Sequence, residues 1–272
     1  LSVKNMEKQF LEQSTISDKY LKNFNLVMFF LHLIQAVAML LLGILVADIR
    51  DFKLPITTTY LEFISGPDIL APNYTSIGSI PIGPIVSSFL FLSALAHFLI
   101  AVPFNKFYNK SLDKHVNYFR WIEYALSSSV MIVLIAMFFG VYDLSSLVLI
   151  FGANATMNLL GLMMEIHNQT TKKTRWIAFN LGWVIGIIPW VVIGLYLFGN
   201  NASFSQVPWF VWAILFSYGL LFFSFPINMF LQYKKVGKFQ DYRFGERGYI
   251  ILSLVAKTLL AWLVFSGVLQ PS

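Results

Sequence analysis

The chain has 272 residues, 57% of them apolar and 12% charged, with 27 Phe, no Cys and a formal net charge of +6. Soluble domains carry about 25% charged residues, so the balance points to a membrane protein. The missing cysteines exclude disulfides, Cys-based zinc sites and Cys nucleophiles.

A membrane helix needs about 20 mostly apolar residues. Seven stretches meet that requirement in chain order: Phe24–Ala47, Ile82–Phe104, Trp121–Val141, Leu144–Met164, Trp176–Phe198, Val207–Leu231 and Gly248–Leu269. With their polar ends, the last five extend to 116–141, 144–166, 174–198, 207–234 and 246–269. Alternation of period 2 is absent, which favours helices over a barrel. The expected fold is an all-α seven-transmembrane bundle, one domain over residues 1–272. The first apolar run is too long for a cleavable signal peptide. The polar segment before it, with Glu7, Lys8, Glu12 and Asp18, is expected to form a short surface helix.

Between the first two spans, residues 49–81 carry Pro55, the β-branched run Ile56-Thr57-Thr58-Thr59-Tyr60, Gly66-Pro67, Pro72, Gly78 and Pro81. Turn residues flanking β-formers read as a small hairpin cap, with an irregular loop as the alternative. Asn73-Tyr74-Thr75 and Asn201-Ala202-Ser203 are glycosylation acceptor patterns.

The cations are asymmetric. Sixteen of the 19 Lys and Arg precede the first span or lie between spans two and three, four and five, or six and seven; Arg50 and Lys53 lie at the other edge. The positive-inside rule then places the N-terminus in the cytoplasm and the C-terminus and hairpin outside. Cations spread over lipid-facing loops argue against nucleic acid as a partner.

The nineteenth cation, Lys257, sits inside the last span, some 13–16 Å from either end at about 1.5 Å per residue. A Lys at that depth costs about 2.5–3.5 kcal/mol on insertion scales. Three readings stand: an amine kept neutral by burial, an ion-paired amine, or a Schiff base with a carbonyl ligand.

Two acidic residues lie away from the obvious span ends, Glu123 and Glu165. Glu165 reads as an interfacial carboxylate near Lys172 and Lys173. Glu123 lies in Arg120-Trp121-Ile122-Glu123-Tyr124, and is read either as a local partner of Arg120 or as the anion facing Lys257. Ser128 follows Glu123 by five residues and is read either as bonding back to its own helix backbone or as lining a polar cavity beside Glu123. Ser253 lies one turn before Lys257 and can bond that amine or Glu123. His32 and His97 are expected to share a polar network with Glu123; a metal site is not expected. Asn154 and Asn158 fit interhelical hydrogen bonds. Pro189 and Pro226 are expected to kink their helices. Phe222, Phe223, Tyr218, Trp212, Trp183 and Trp190 supply aromatic surface for a flat apolar ligand.

Together, Arg120-Trp121-Ile122-Glu123-Tyr124-Ala125, Phe225-Pro226-Ile227-Asn228, Gln232-Tyr233-Lys234-Lys235 and Phe244-Gly245-Glu246-Arg247 running into Ser253-Leu254-Val255-Ala256-Lys257 resemble the heliorhodopsins, the inverted-topology branch of the microbial rhodopsins. The resemblance covers essentially the whole chain. It implies all-trans retinal on Lys257 as a protonated Schiff base with Glu123 as counterion. It matches His32 and His97 to an intramembrane histidine pair, and Ser128 and Ser253 to its polar neighbours. It also places Phe222, Trp183 and Tyr124 against the chromophore. It further implies a homodimer formed partly through the 49–81 loop, in the cell membrane, with light sensing rather than ion pumping or enzyme activity. Outward-pumping rhodopsins carry carboxylates where this chain has Ser253 and Leu134. A cytoplasmic signalling partner is the expected reader of the light signal. The competing readings are a transporter or channel coupling ions through Lys257 and Glu123, and a membrane enzyme using Lys257 as a nucleophile.

Overall fold

A computed structural model describes residues 14–63, 69–199 and 207–269. Chain order is α1 (Asp18–Leu45), α2 (Ala47–Asp51), β1 (Lys53–Phe63), β2 (Leu70–Pro81), α3 (Ile82–Ala101), α4 (Asn105–Leu112), α5 (Tyr118–Phe138), α6 (Leu144–Asn168), α7 (Ile177–Gly186), α8 (Ile188–Gly199), α9 (Trp209–Tyr233) and α10 (Tyr242–Val268). Among the described residues, seven helical spans are long and apolar enough to cross a membrane, α7 and α8 together forming the fifth. Most of the N-terminal segment expected to be a surface helix, Glu7, Lys8 and Glu12 included, lies outside the described residues, as does the Asn201 pattern.

Four of the spans, α1, α5, α6 and α10, start where a polar cap precedes an apolar run. Ser17 accepts the Tyr20 amide at the start of α1, and Asn117 accepts the Arg120 amide at the start of α5. Asp143 accepts the Ser146 amide at 3.1 Å, and Asp241 the Arg243 amide at 2.9 Å. These side chains satisfy donors that helix starts leave open. The α5 helix stops at Gly140, whose φ of +91° an L side chain rarely adopts. The Asp143 carboxyl is held below its ordinary range by the Ser145 hydroxyl and then the Ser146 amide. A carboxyl lowered in the folded state stabilises above its unfolded titration point, and that contribution is lost as the pH falls through the folded value. Asp143→Ala should therefore cost about 1 kcal/mol at neutral pH, with the difference from wild type vanishing in acid. Thermal unfolding across a pH series checks it.

Two proline effects differ. Pro189 follows the α7–α8 break at Ile187, where its missing amide and ring cannot continue the ladder. Pro226 lies inside a continuous α9.

The hairpin is a two-stranded antiparallel sheet with a register shift at Ile56/Thr57. Its strands are longer than the β-branched run and include Pro55, Pro72 and Pro81. A two-stranded ribbon has two edges, so a proline can face outward without breaking a ladder bond. The hairpin is docked by the Thr57 amide, which donates to the Tyr142 carbonyl at 2.9 Å.

In the bundle α1 packs on α3, α3 on α5, α5 on α6, α6 on α7, and α9 on α10, which returns to α1 and α3. At the α1–α3 contact the backbones touch: a Cβ on Gly43 would lie 2.5 Å from the Gly83 Cα. The α7–α8 and α9 segments meet through aromatic side chains, Trp183 against Phe223 and Trp190 against Phe222 and Tyr218. Outward faces carry exposed apolar residues such as Leu45, Leu149, Val184, Phe216 and Leu220, as a lipid-facing surface requires. The hairpin half of the interior is mainly apolar, with Val86, Phe89, Leu90, Ile135, Val264 and Phe265 fully or almost fully buried; Ser87, buried among them, donates to the Pro84 carbonyl at 3.0 Å. Polar side chains concentrate in the opposite half, toward the end where most of the cations lie (the basic end).

Candidate functional site

Lys257 is 3% exposed and belongs to α10 near the middle of the bundle. Its Nζ lies 3.0 Å from Glu123 Oε1 and donates to Ser253 Oγ at 2.6 Å. Spacing explains both contacts. Ser253 is one helical turn before Lys257 and shares its face, while α5 presents Glu123 from the opposite wall. The Ser93 hydroxyl of α3 donates to the same Glu123 oxygen at 2.6 Å. The Tyr124 ring lies 5.2 Å from the Lys257 nitrogen, and its hydroxyl donates to the Tyr249 carbonyl at 2.9 Å. A charge pair this deep persists only because each member has its partner and further hydrogen bonds.

The amine opens into a cavity of about 920 Å³, mouth included. Trp183, Phe179, Phe222, Phe225, Tyr218 and Tyr124 form much of its wall, with Ser128, Asn154, Asn158 and Ser253 as polar points. Gly161 also lines it; a Cβ there would meet the Trp121 ring at 2.3 Å, so Trp121 seats directly on α6. Phe223 stacks on Trp183 behind the wall.

Ser128 does not approach Glu123. Five residues place it about 140° around the helix, where its hydroxyl donates to the Tyr124 carbonyl and accepts from Asn154 and Asn158. It belongs to the large cavity, and the two asparagines bond across α6 to α5.

His32 and His97 stack in parallel, centroids 5.5 Å apart. His97 Nδ1 bonds Asn25 Oδ1 at 2.7 Å, and neither His32 nitrogen has a hydrogen-bond partner. Neither histidine hydrogen-bonds Glu123 among the described residues. What His97 shares with Glu123 is a second cavity of about 330 Å³, also lined by Asn25, Arg120, Ser253 and Glu246.

Arg120 corrects one expectation. Its guanidinium pairs with Glu165 and Glu246 instead of capping Glu123, and lies 4.1 Å over the Tyr249 ring. Glu165 is correspondingly not interfacial: it is 2% exposed and accepts the Trp121 indole N–H at 2.6 Å and the Asn117 amide at 3.0 Å. Glu246, 1% exposed, also accepts from Asn117 Nδ2 at 2.6 Å and Tyr108 Oη at 3.1 Å. Arg120 therefore ties α5 to α6 and α10. Glu246 was hidden in the sequence beside Arg247, where it reads as a loop charge. Its spacing was the available signal: eleven residues before Lys257 is about three turns, which returns to the same helix face.

The cavity suits a long, flat, apolar carbonyl compound. Its walls are aromatic, and its buried amine faces a single carboxylate. A family model described as Heliorhodopsin matches residues 21–269. A comparison with curated proteins gives no match. With that match over nearly the whole chain and seven membrane-length helices beneath it, the chain belongs to the heliorhodopsin family, multi-pass membrane photoreceptors of the rhodopsin type whose chromophore is retinal.

Proposed function

We propose that Lys257 carries all-trans retinal as a protonated Schiff base with Glu123 as its counterion, and that the protein senses light without pumping ions. The observation that carries this reading is the Lys257–Glu123 pair at 3.0 Å, opening into the aromatic cavity. Retinal supplies visible absorption and a double bond that isomerises on illumination. The protein's residues do the rest. Glu123 favours positive charge on the Lys257 nitrogen, Ser253 stands beside that nitrogen as a second polar neighbour, and Ser93 orients the carboxylate. Phe222, Trp183 and Tyr124 hold the apolar chain, and Ser128 with Asn154 and Asn158 forms a polar point on its wall. His32 and His97, beside the Glu123 cavity, are placed to receive a proton transiently.

The absence of transport is supported by the interior. A proton relay needs ionisable groups on both sides of the Lys257 nitrogen. On the hairpin side the described interior is apolar core, with Leu134, Leu260, Val264 and Phe265 buried. The proposed orientation has the basic end and N-terminus in the cytoplasm, following the positive-inside rule. The proposed assembly is a homodimer through the hairpin, whose exposed Tyr60, Leu61, Phe63 and Tyr74 are ready to be covered. The signal is a two-state change in helix packing at the basic end, read by a cytoplasmic partner.

Adding all-trans retinal to the purified protein should produce a visible absorption band. Glu123→Gln should shift that band to the red or deprotonate the pigment. An unchanged spectrum in that variant would remove Glu123 as the counterion.

A further inference from the structure

We propose that Glu246 is a second proton site of the light reaction, taking up a proton from the Lys257–Glu123 pair through the cavity that both carboxylates line. This rests on the reading of the chain as a retinal photoreceptor.

The formal charges first point to it. Lys257 and Glu123 cancel, and Arg120 cancels one of the two glutamates it touches. One buried carboxylate is left over, which a dry interior tolerates poorly. The donor count differs by one, and access to the cavity says which one. Both oxygens of Glu165 are occupied by four donors, three of them N–H groups of Arg120, Trp121 and the Asn117 backbone that can only donate. Glu246 has one such N–H donor fewer, Arg120 on Oε2 and Asn117 Nδ2 on Oε1, and its Oε1 also faces the Tyr108 hydroxyl at 3.1 Å; each glutamate thus has one phenol neighbour that can turn to accept an O–H. The cavity then supplies access. Glu246 and Glu123 line the same small cavity, with about 20 Å³ of room for water, and Glu165 is not among its lining residues.

Glu246 lies eleven residues from Lys257 along α10, some 16 Å at about 1.5 Å per residue, too far for direct transfer. Asn25, His97 and Ser253 give the cavity the polar partners that ordered water needs. In the proposed step the N–H bond at Lys257 breaks, Glu123 relays the proton, and an O–H bond forms at Glu246 Oε1. No oxidation or reduction occurs. Protonated Glu246 no longer forms an ion pair with Arg120, which stays with Glu165. The tie between α5 and α10 weakens at the basic end, and that change is the output.

The test is light-minus-dark infrared spectroscopy of the full chain in lipid nanodiscs, loaded with all-trans retinal at neutral pH. Wild type is compared with Glu246→Gln and Tyr108→Phe. Wild type should gain a protonated-carboxyl C=O band that moves down in D2O. Glu246→Gln should lose it, and Tyr108→Phe should move it to higher frequency, since one hydrogen bond is gone. Independently, Gln at position 246 imitates the protonated acid. Dark amide exchange over Tyr242–Tyr249 should then rise several-fold, to the level of illuminated wild type. A carboxyl band that survives Glu246→Gln with the pigment intact overturns the proposal. If Glu246→Gln does not fold, an unmoved band in Tyr108→Phe overturns it instead. Absence of any pigment in wild type would defeat the photoreceptor reading itself, a separate outcome.

Discussion

Lys257→Ala is expected to abolish the pigment: all-trans retinal added to this variant should give no visible band beyond that of free retinal. The substitution removes Lys257, which among the described residues is the one lining side chain able to form a Schiff base. It also leaves Glu123 buried beside Ser93 with no cation, which costs about 3–5 kcal/mol when one partner of a buried pair is deleted. The two effects separate in Lys257→Ala/Glu123→Gln. That double variant should regain most of the thermal stability and still bind no pigment. A pigmented Lys257→Ala would remove the covalent site from α10. A double variant no more stable than the single one would mean that Glu123 does not depend on Lys257 for its charge.

The second large effect lies at Arg120. This guanidinium sits between two glutamates from different helices, with the Tyr249 ring beneath it. Arg120→Leu leaves two carboxylates facing each other in a dry interior and should destabilise the protein by about 3–5 kcal/mol, read as a lowered unfolding temperature in detergent. Adding Glu165→Gln and Glu246→Gln should recover much of that loss, because the uncompensated charges are then gone. A loss of under about 1 kcal/mol in Arg120→Leu would be the behaviour of an exposed ion pair and would contradict its burial. Arg120→Lys should rescue only in part, since an ammonium cannot fork between two carboxylates as a planar guanidinium does.

The spans were legible because each must satisfy its backbone internally over a fixed membrane thickness, so apolar length alone marks them. Their ends were not. The α1 helix begins at Asp18, six residues before the apolar run, and α3 ends at Ala101, with the short α4 following. Caps and amphipathic turns set those limits, and both are polar. Lys257 stood out as a cation with no interfacial explanation. Arg120 did not, because at the edge of an apolar run a buried arginine and a loop arginine look alike. Its partners come from residues 45 and 126 positions away, and no local pattern encodes such contacts. Ser128 shows the limit of counting along one helix: nearness in sequence to Glu123 placed it on the wrong side, and the angle around the axis decides.

The apolar hairpin half of the bundle has an electrical consequence. Moving one elementary charge across a whole membrane at 100 mV involves about 2.3 kcal/mol. Every ionisable group described around Lys257 lies level with it or toward the basic end, so a displaced proton travels through only part of that drop. For the proposed transfer to Glu246, some 16 Å along α10 in a hydrocarbon core about 30 Å thick, that part is about half, so 100 mV would bias the step by roughly 1 kcal/mol.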